Sequence, residues 1–151
     1  MNVKPVVHAS FTLERTYRVS PARVFAAFAD SEIKARWFIG PDGWRVTERR
    51  DEFRVGGQEV LAGVFPDGRT SRYDARYYEI IPDARLVYAY DMHHGGIHLS
   101  LSLVTIELQQ SGSGTHLLLT EQDAYLNGED GSASRAHGTG WHLDNLGKVL
   151  G

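Results

Sequence analysis

Two glutamates are placed where a carboxyl group could carry out acid–base chemistry. Glu121 keeps the two-residue phase of Leu117 and Leu119, and Glu59 keeps that of Leu61, so each carboxylate shares a strand face with apolar side chains. If those faces are buried, the cost of an unpaired buried charge raises the pKa of each carboxyl towards neutrality. Such a carboxyl suits a general acid or base. The alternative is that one or both carboxylates are structural, either hydrogen-bonded to Tyr, Ser or His or lying at the solvent-exposed rim of the site.

The histidines offer a second kind of site. If Gly95-Gly96 is a two-residue hairpin loop, His93 and His98 are cross-strand neighbours with His94 beside them. Three imidazoles could hold zinc or nickel, but no carboxylate completes an open site. We therefore predict neither a metal nor a cofactor. His142, near the C-terminus, is expected to pack or to line a pocket.

The composition excludes several classes of protein. The net charge of the 151 residues is -3, and no basic run exceeds a pair such as Arg49-Arg50, so we expect neither nucleic acid nor a membrane as a partner. The lack of cysteine excludes disulfides, thiolate metal sites and a cysteine nucleophile. A G-x-S-x-G elbow, a G-x-G-x-x-G fingerprint and a P-loop do not occur. We predict one soluble, cytoplasmic domain over residues 1–151.

A long amphipathic helix over Ser134–Leu150 is predicted to position these side chains. Leu143, Leu146, Val149 and Leu150 recur at three- and four-residue intervals and form one apolar stripe. Such a stripe must be buried against another element. Because alternating, strand-like segments fill the middle of the chain, the partner of the helix is a sheet.

Seven strands and two short helices precede the long helix. Short turns rich in Gly, Pro, Asp and Ser separate the later strands, so neighbouring strands should pair antiparallel. A twisted antiparallel sheet curls, and a helix laid in its concavity tends to leave a cavity of the kind that binds small molecules. The fold class is α+β. The predicted strands are Phe11–Val19, Trp44–Arg50, Gln58–Phe65, Thr70–Ile81, Arg85–Met92, Ile97–Gln109 and Thr115–Asp123, and the short helices begin at Ser20-Pro21 and span Glu32–Trp37.

Several short sequence segments, and the order of the predicted strands and helices, resemble the START-like, helix-grip superfamily, also called SRPBCC. Within it the chain is similar to the branch named after the C-terminal domain of the activator of the heat-shock chaperone ATPase (AHSA-like). One position departs from that branch: Glu59 follows Gly56-Gly57 by two places, where the family usually has an apolar residue. The matching segments are Val24-Phe25, Ala35 to Phe38, Phe53 to Gly57, Ile81 to Tyr88, Gly114 to Thr120 and Gly140-Trp141.

The resemblance implies a curved sheet gripping the C-terminal helix, with a pocket for a hydrophobic ligand between them. It places Leu117 and Leu119 on the inward face, and Glu121 with them. It implies no reaction, because superfamily members range over lipid carriers, polyketide cyclases and co-chaperone domains. The expected ligand-binding residues are Trp37, Phe38, Trp44, Glu59, Leu61, Tyr73, Tyr77, Tyr88, Tyr90, Ser102, Glu121, Trp141 and His142.

We therefore predict non-covalent binding of a small hydrophobic or aromatic molecule. One alternative is a polyketide-cyclase- or hydrolase-like enzyme that uses Glu59, Glu121 and tyrosine hydroxyls in the same cavity; another is a co-chaperone-type interaction module.

The strand over Ile97–Gln109 also bears on association. If its serines face inward, then Leu99, Leu101 and Leu103 face outward, and a row of exposed leucines suggests a homodimer. A bulge near Leu103 would bury them instead.

Overall fold

Seven strands form one antiparallel sheet in the computed structural model, which describes residues 3–151. Their order across the sheet is β1-β7-β6-β5-β4-β3-β2, which confirms the predicted seven-stranded antiparallel sheet. The strands are β1 (Val7–Tyr17), β2 (Arg45–Asp51), β3 (Gln58–Val64), β4 (Thr70–Ile81), β5 (Arg85–His94), β6 (Ile97–Ser111) and β7 (Gly114–Tyr125). The helices are α1 (Pro21–Ala29), α2 (Ser31–Trp37) and α3 (Ser132–Leu150).

The two short helices begin where their capping residues predict. The Ser20 hydroxyl accepts a hydrogen bond from the Arg23 amide at 3.3 Å, and Pro21 occupies the first turn of α1. The Asp30 carboxylate accepts from the Glu32 and Ile33 amides and caps α2. With α1 against β6, β7 and α3, the short helices cover one end of the sheet.

The long helix α3 closes the concave face of the sheet. Leu143, Leu146 and Leu150 are buried in one core with inward residues of β6 and β7, such as Ile106 and Leu119. A hydrogen bond of 2.8 Å from the Tyr17 hydroxyl of β1 to the Leu143 carbonyl fixes the helix on the sheet. The predicted helix-grip fold is confirmed.

Several element ends differ from prediction by one or two residues, and the start of β1 differs by four. α3 begins two residues early, at Ser132, and its cap position, Gly131, makes no side-chain cap bond. β1 begins at Val7 rather than Phe11 because its ladder with β7 continues to the pair Val7 and Tyr125. None of the three helices within residues 3–151 combines the length and hydropathy of a membrane span.

A β-bulge corrects the predicted outward row of leucines. His93 pairs with His98 while Met92 pairs with Ser100, so Leu99 has no partner on β5 and turns to line the interior cavity. Only Leu101 and Leu103 are exposed, at 48% and 40%. The alternative bulge near Leu103 is not formed.

Candidate ligand-binding site

A cavity of about 690 Å³ lies between α3 and the concave face of the sheet. Its floor includes Leu61 of β3, Tyr73 of β4, Tyr88 of β5 and Leu119 of β7. α3 supplies one wall, and α2 with the loop that follows it supplies another. A space of this size accommodates a drug-sized molecule.

Aromatic rings dominate the walls and touch one another. The Phe38 ring packs edge-on against Tyr73 with centroids 4.9 Å apart and lies 5.0 Å from the His142 ring. Tyr73 in turn packs 4.8 Å from Tyr90. Because each ring is held by its neighbours, the walls are preformed planar surfaces. The cavity is lined by the rings of Phe28, Trp37, Phe38, Trp44, Phe65, Tyr73, Tyr88, Tyr90, Tyr125, Trp141 and His142.

Two glycines hold Trp44 against the cavity. A Cβ atom at Gly40 or at Gly63 would collide with the Trp44 ring, so only glycine lets the indole lie flat between the loop and β3. The indole N–H donates to the Ser71 hydroxyl at 3.0 Å. The orientation of this wall is therefore fixed.

The end of the cavity between β5, β7 and α3 is polar. The Tyr90 hydroxyl donates to Glu121 Oε2 at 2.8 Å and accepts from Arg135 Nη1 at 2.8 Å. Arg135 also donates to the hydroxyls of Ser102 at 3.2 Å and Ser100 at 2.8 Å. The guanidinium thus ties α3 to two strands and lies 3.5 Å from the Glu121 carboxyl.

The Glu121 carboxyl favours its protonated, neutral form up to about pH 8. Burial raises its pKa to about 8, and the neighbouring Asp123 carboxyl adds to the rise. Asp123 Oδ2 accepts from the Tyr125 hydroxyl at 2.7 Å, whereas the buried Asp123 Oδ1 has no hydrogen-bond partner within residues 3–151. A proton on Glu121 gives Oδ1 the donor it needs, so the two carboxyls form an acid–carboxylate pair.

Two tyrosine hydroxyls in the cavity have no protein partner among the described residues. Tyr73 and Tyr88 both line the cavity, and neither hydroxyl is sealed from solvent or engaged in a side-chain hydrogen bond. Burial raises the pKa of each phenol, so both remain protonated and can donate. Together with Glu121 they offer polar groups that a bound molecule can use.

A second buried network meets the cavity at Lys34. Lys34 of α2 donates to Glu59 Oε1 at 2.7 Å, and both side chains are under a tenth exposed. The Tyr77 hydroxyl donates to Asp51 at 2.9 Å and lies 3.4 Å from the Glu59 carboxylate. Burial, followed by the charge of Glu59, raises the pKa of Asp51. This network joins α2 to β2, β3 and β4.

Ten of the thirteen expected ligand-binding residues line the cavity, and three do not. Glu59 and Tyr77 face inward as expected, but both are hydrogen-bonded to Lys34 and do not line the cavity. Ser102 also faces inward and lies behind the Arg135 guanidinium. The expected pairing of Glu59 with Glu121 in one site is therefore not formed. The ten are Trp37, Phe38, Trp44, Leu61, Tyr73, Tyr88, Tyr90, Glu121, Trp141 and His142.

Sequence reasoning missed four charged residues of these networks: Asp51, and three others whose spacing gave a signal. Arg135 lies seven and eight positions before His142 and Leu143 and so shares their helix face. Asp123 keeps the phase of Glu121, and Lys34 is one turn before Trp37 in α2. In each case the spacing along the chain places a charged side chain on an inward face. A charge buried there requires an ion-pair or hydrogen-bond partner.

The histidines do not converge. His93 and His98 stack across the hairpin with ring centroids 4.6 Å apart, and His98 contacts Asp91 at 2.7 Å. His94 faces the cavity near Phe65, on the other side of the sheet from this pair, so the three-imidazole arrangement is wrong. No trio of ligating side chains gathers anywhere in residues 3–151.

His142 lines the cavity and keeps a fixed tautomer. Its Nε2 donates to the Ile39 carbonyl at 2.9 Å, and burial lowers its pKa.

Residues 18–151 match the sequence profile of the family described as activator of Hsp90 ATPase homolog 1-like protein. A crystal structure of a protein from Rhizobium loti is 44% identical with a TM-score of 0.90, covering 97% of this chain and 99% of that chain. A protein from Rhizobium leguminosarum is 36% identical with a TM-score of 0.93, covering 99% and 98%. One from Chromobacterium violaceum is 25% identical with a TM-score of 0.72, covering 93% and 96%. No curated protein gives a significant match. The chain belongs to the family of activator of Hsp90 ATPase homolog 1-like proteins, an AHSA-like branch of the START-like superfamily.

Proposed function

We propose that this protein binds a small aromatic or otherwise hydrophobic molecule non-covalently between the sheet and α3. The observation that carries the proposal is the preformed cavity of about 690 Å³ with its continuous aromatic lining. Members of the family commonly bind hydrophobic ligands, which agrees with this role.

The lining favours a flat ring with polar substituents. Phe38, Tyr73 and Tyr90 offer planar faces to a ring, and the unpartnered hydroxyls of Tyr73 and Tyr88 can donate to an oxygen on it. The neutral Glu121 carboxyl can exchange one further hydrogen bond. A purely aliphatic chain would leave these polar groups unpaired, which costs affinity.

Calorimetric titration with 2-naphthol, compared with decanoate, tests the proposal. Gly138 of α3 lines the cavity with open space where its Cβ would be, so Gly138→Leu fills the cavity from the helix. The matched control is Ala133→Leu, which adds a similar side chain at an exposed position of the same helix. We expect 2-naphthol to bind the wild type and Ala133→Leu more tightly than decanoate, and Gly138→Leu to bind neither. Equal binding by all three proteins would contradict the proposal.

A chaperone-directed role, to which the family name refers, makes the opposite prediction. Such a role depends on surface contacts, so filling the cavity with Gly138→Leu would leave it unchanged. We do not propose the enzymatic alternative in the form that uses Glu59, because Glu59 is paired with Lys34.

We also propose a cytoplasmic location and self-association. The absence of cysteine suits a reducing compartment. Leu101 and Leu103 form an apolar strip with Tyr78 on the face opposite the cavity, and a second copy could cover it. Sedimentation of the wild type and of Leu101→Lys tests this: a wild-type dimer that the substitution dissociates supports self-association, and a wild-type monomer contradicts it.

A further inference from the structure

We propose that Glu121 takes a proton from an activated C–H bond of a molecule held in the cavity, so that the protein catalyses proton transfer at carbon. This activity rests on the binding function proposed above and goes beyond it. The reaction class is abstraction of a proton from a carbon whose electron pair can move onto an electronegative atom.

The first argument is how the Glu121 carboxyl is held. Its Oε2 is fixed by the Tyr90 hydroxyl, which Arg135 holds from the other side. When Glu121 is ionised it has no proton to donate to Asp123, so its Oε1 makes no hydrogen bond to a side chain within residues 3–151, and this solvent-accessible oxygen belongs to a residue that lines the cavity. One oxygen is therefore anchored and the other is open to a bound molecule, which is the arrangement that a general base requires. Tyr90 and Arg135 act as positioning residues.

The second argument is where the proton goes. After transfer, the neutral Glu121 has an acceptor beside it in Asp123 Oδ1, which has no other hydrogen-bond partner within residues 3–151. The pKa of Glu121, raised to about 8, makes the carboxylate a stronger base than an ordinary glutamate. Ionised Glu121 therefore has both a driving force to take a proton and a partner for the protonated form.

The third argument is how the developing negative charge is stabilised. Tyr88 pairs with Val104, and Val104 pairs with Glu121 on the next strand, so Tyr88 and Glu121 lie two strands apart in one row. Two strand spacings amount to about 10 Å between backbones, which leaves room for a bicyclic ring between the two side chains. The free hydroxyls of Tyr73 and Tyr88 can donate to an oxyanion at the far side of such a ring.

The elimination of 5-nitrobenzisoxazole tests the proposal, because it needs only a base and an apolar, flat site. Glu121 takes the proton from the ring carbon, the C–H electron pair forms the nitrile, and the N–O bond breaks to leave a phenolate that absorbs light. We expect saturable turnover whose rate rises with pH and levels off above about 8. Glu121→Gln should lower the rate by about 100-fold or more. Tyr73→Phe combined with Tyr88→Phe should also lower it by about 100-fold.

The control is Glu107→Gln, which removes an exposed carboxylate on β6 and should leave the rate unchanged. If Glu121→Gln retains wild-type turnover, or if the wild-type rate shows no ionisation between pH 7 and 9, the proposal is overturned; the second criterion needs no variant to fold. If the wild type binds 2-naphthol but does not turn over 5-nitrobenzisoxazole, proton transfer is refuted and the binding function stands. If the wild type binds neither 2-naphthol nor 5-nitrobenzisoxazole, both the binding function and the proton transfer are refuted.

Discussion

The Tyr90 hydroxyl and the Glu121 carboxyl meet in a hydrogen bond of 2.8 Å on the concave face of the sheet. The two residues lie on β5 and β7, with β6 between them, so the sheet fixes the distance between their backbones. Arg135 adds the helix to this contact by donating to the same hydroxyl. The polar end of the cavity is thus built from β5, β7 and α3, three of the elements that enclose the cavity.

Tyr90→Phe should destabilise the protein by about 1–3 kcal/mol, because it removes a donor to buried Glu121 and an acceptor for Arg135. Urea denaturation measures the change. Tyr78→Phe is the control, since Tyr78 is 59% exposed. Equal stability of the two variants would mean that the Tyr90 bond contributes nothing.

The free energy of unfolding should fall as pH rises through the window from 4.5 to about 8. Between these values the native state holds a proton on Glu121 that the unfolded chain has lost, so the native state is favoured at the acid end and loses that advantage as pH rises. Glu121→Gln mimics the neutral acid and should show a flatter dependence. Urea denaturation at several pH values measures both slopes, and identical slopes would contradict the raised pKa.

Lys34→Met should cost about 3–5 kcal/mol, because it leaves the Glu59 carboxylate buried without its cation. The double variant Lys34→Met, Glu59→Leu should recover much of that loss, since it replaces a buried ion pair by apolar groups. A double-mutant cycle from urea denaturation measures the coupling. Arg69→Ala, which breaks the exposed pair with Asp67, should leave the free energy of unfolding nearly unchanged. Additive losses at Lys34 and Glu59 would show that the pair is not coupled.

Gly138→Ala should stabilise the protein by about 0.5–1 kcal/mol, because the helix gains propensity and the new Cβ meets open space. Gly63→Ala should instead destabilise it, since its Cβ would collide with the Trp44 ring and the Arg45 carbonyl. Thermal unfolding compares the two. A loss of stability in Gly138→Ala would indicate that the space beside α3 is already filled.

The fold was predictable from the sequence because its signals are local. The stripe of Leu143, Leu146 and Leu150 and the turn residues between strands sufficed for the element order. The bulge at Leu99 was not predictable, because it depends on the register of β5 against β6. The inward position of Glu121 is predictable from its two-residue alternation with Leu117 and Leu119. The pairing of Glu59 with Lys34 is not, because it depends on how α2 packs on the sheet, which residue spacing does not show.

The most direct test of the central claim uses the three tryptophans, all of which line the cavity. Each indole N–H gives a separate signal in a nitrogen–proton correlation spectrum, so titration with 2-naphthol reports on three cavity walls at once. Binding between α3 and the sheet predicts saturable shifts of the Trp37, Trp44 and Trp141 signals, with the Leu101 and Leu103 amides of the opposite face unchanged. Saturating shifts confined to that opposite face, or indole signals that never move, would contradict a binding cavity at this position.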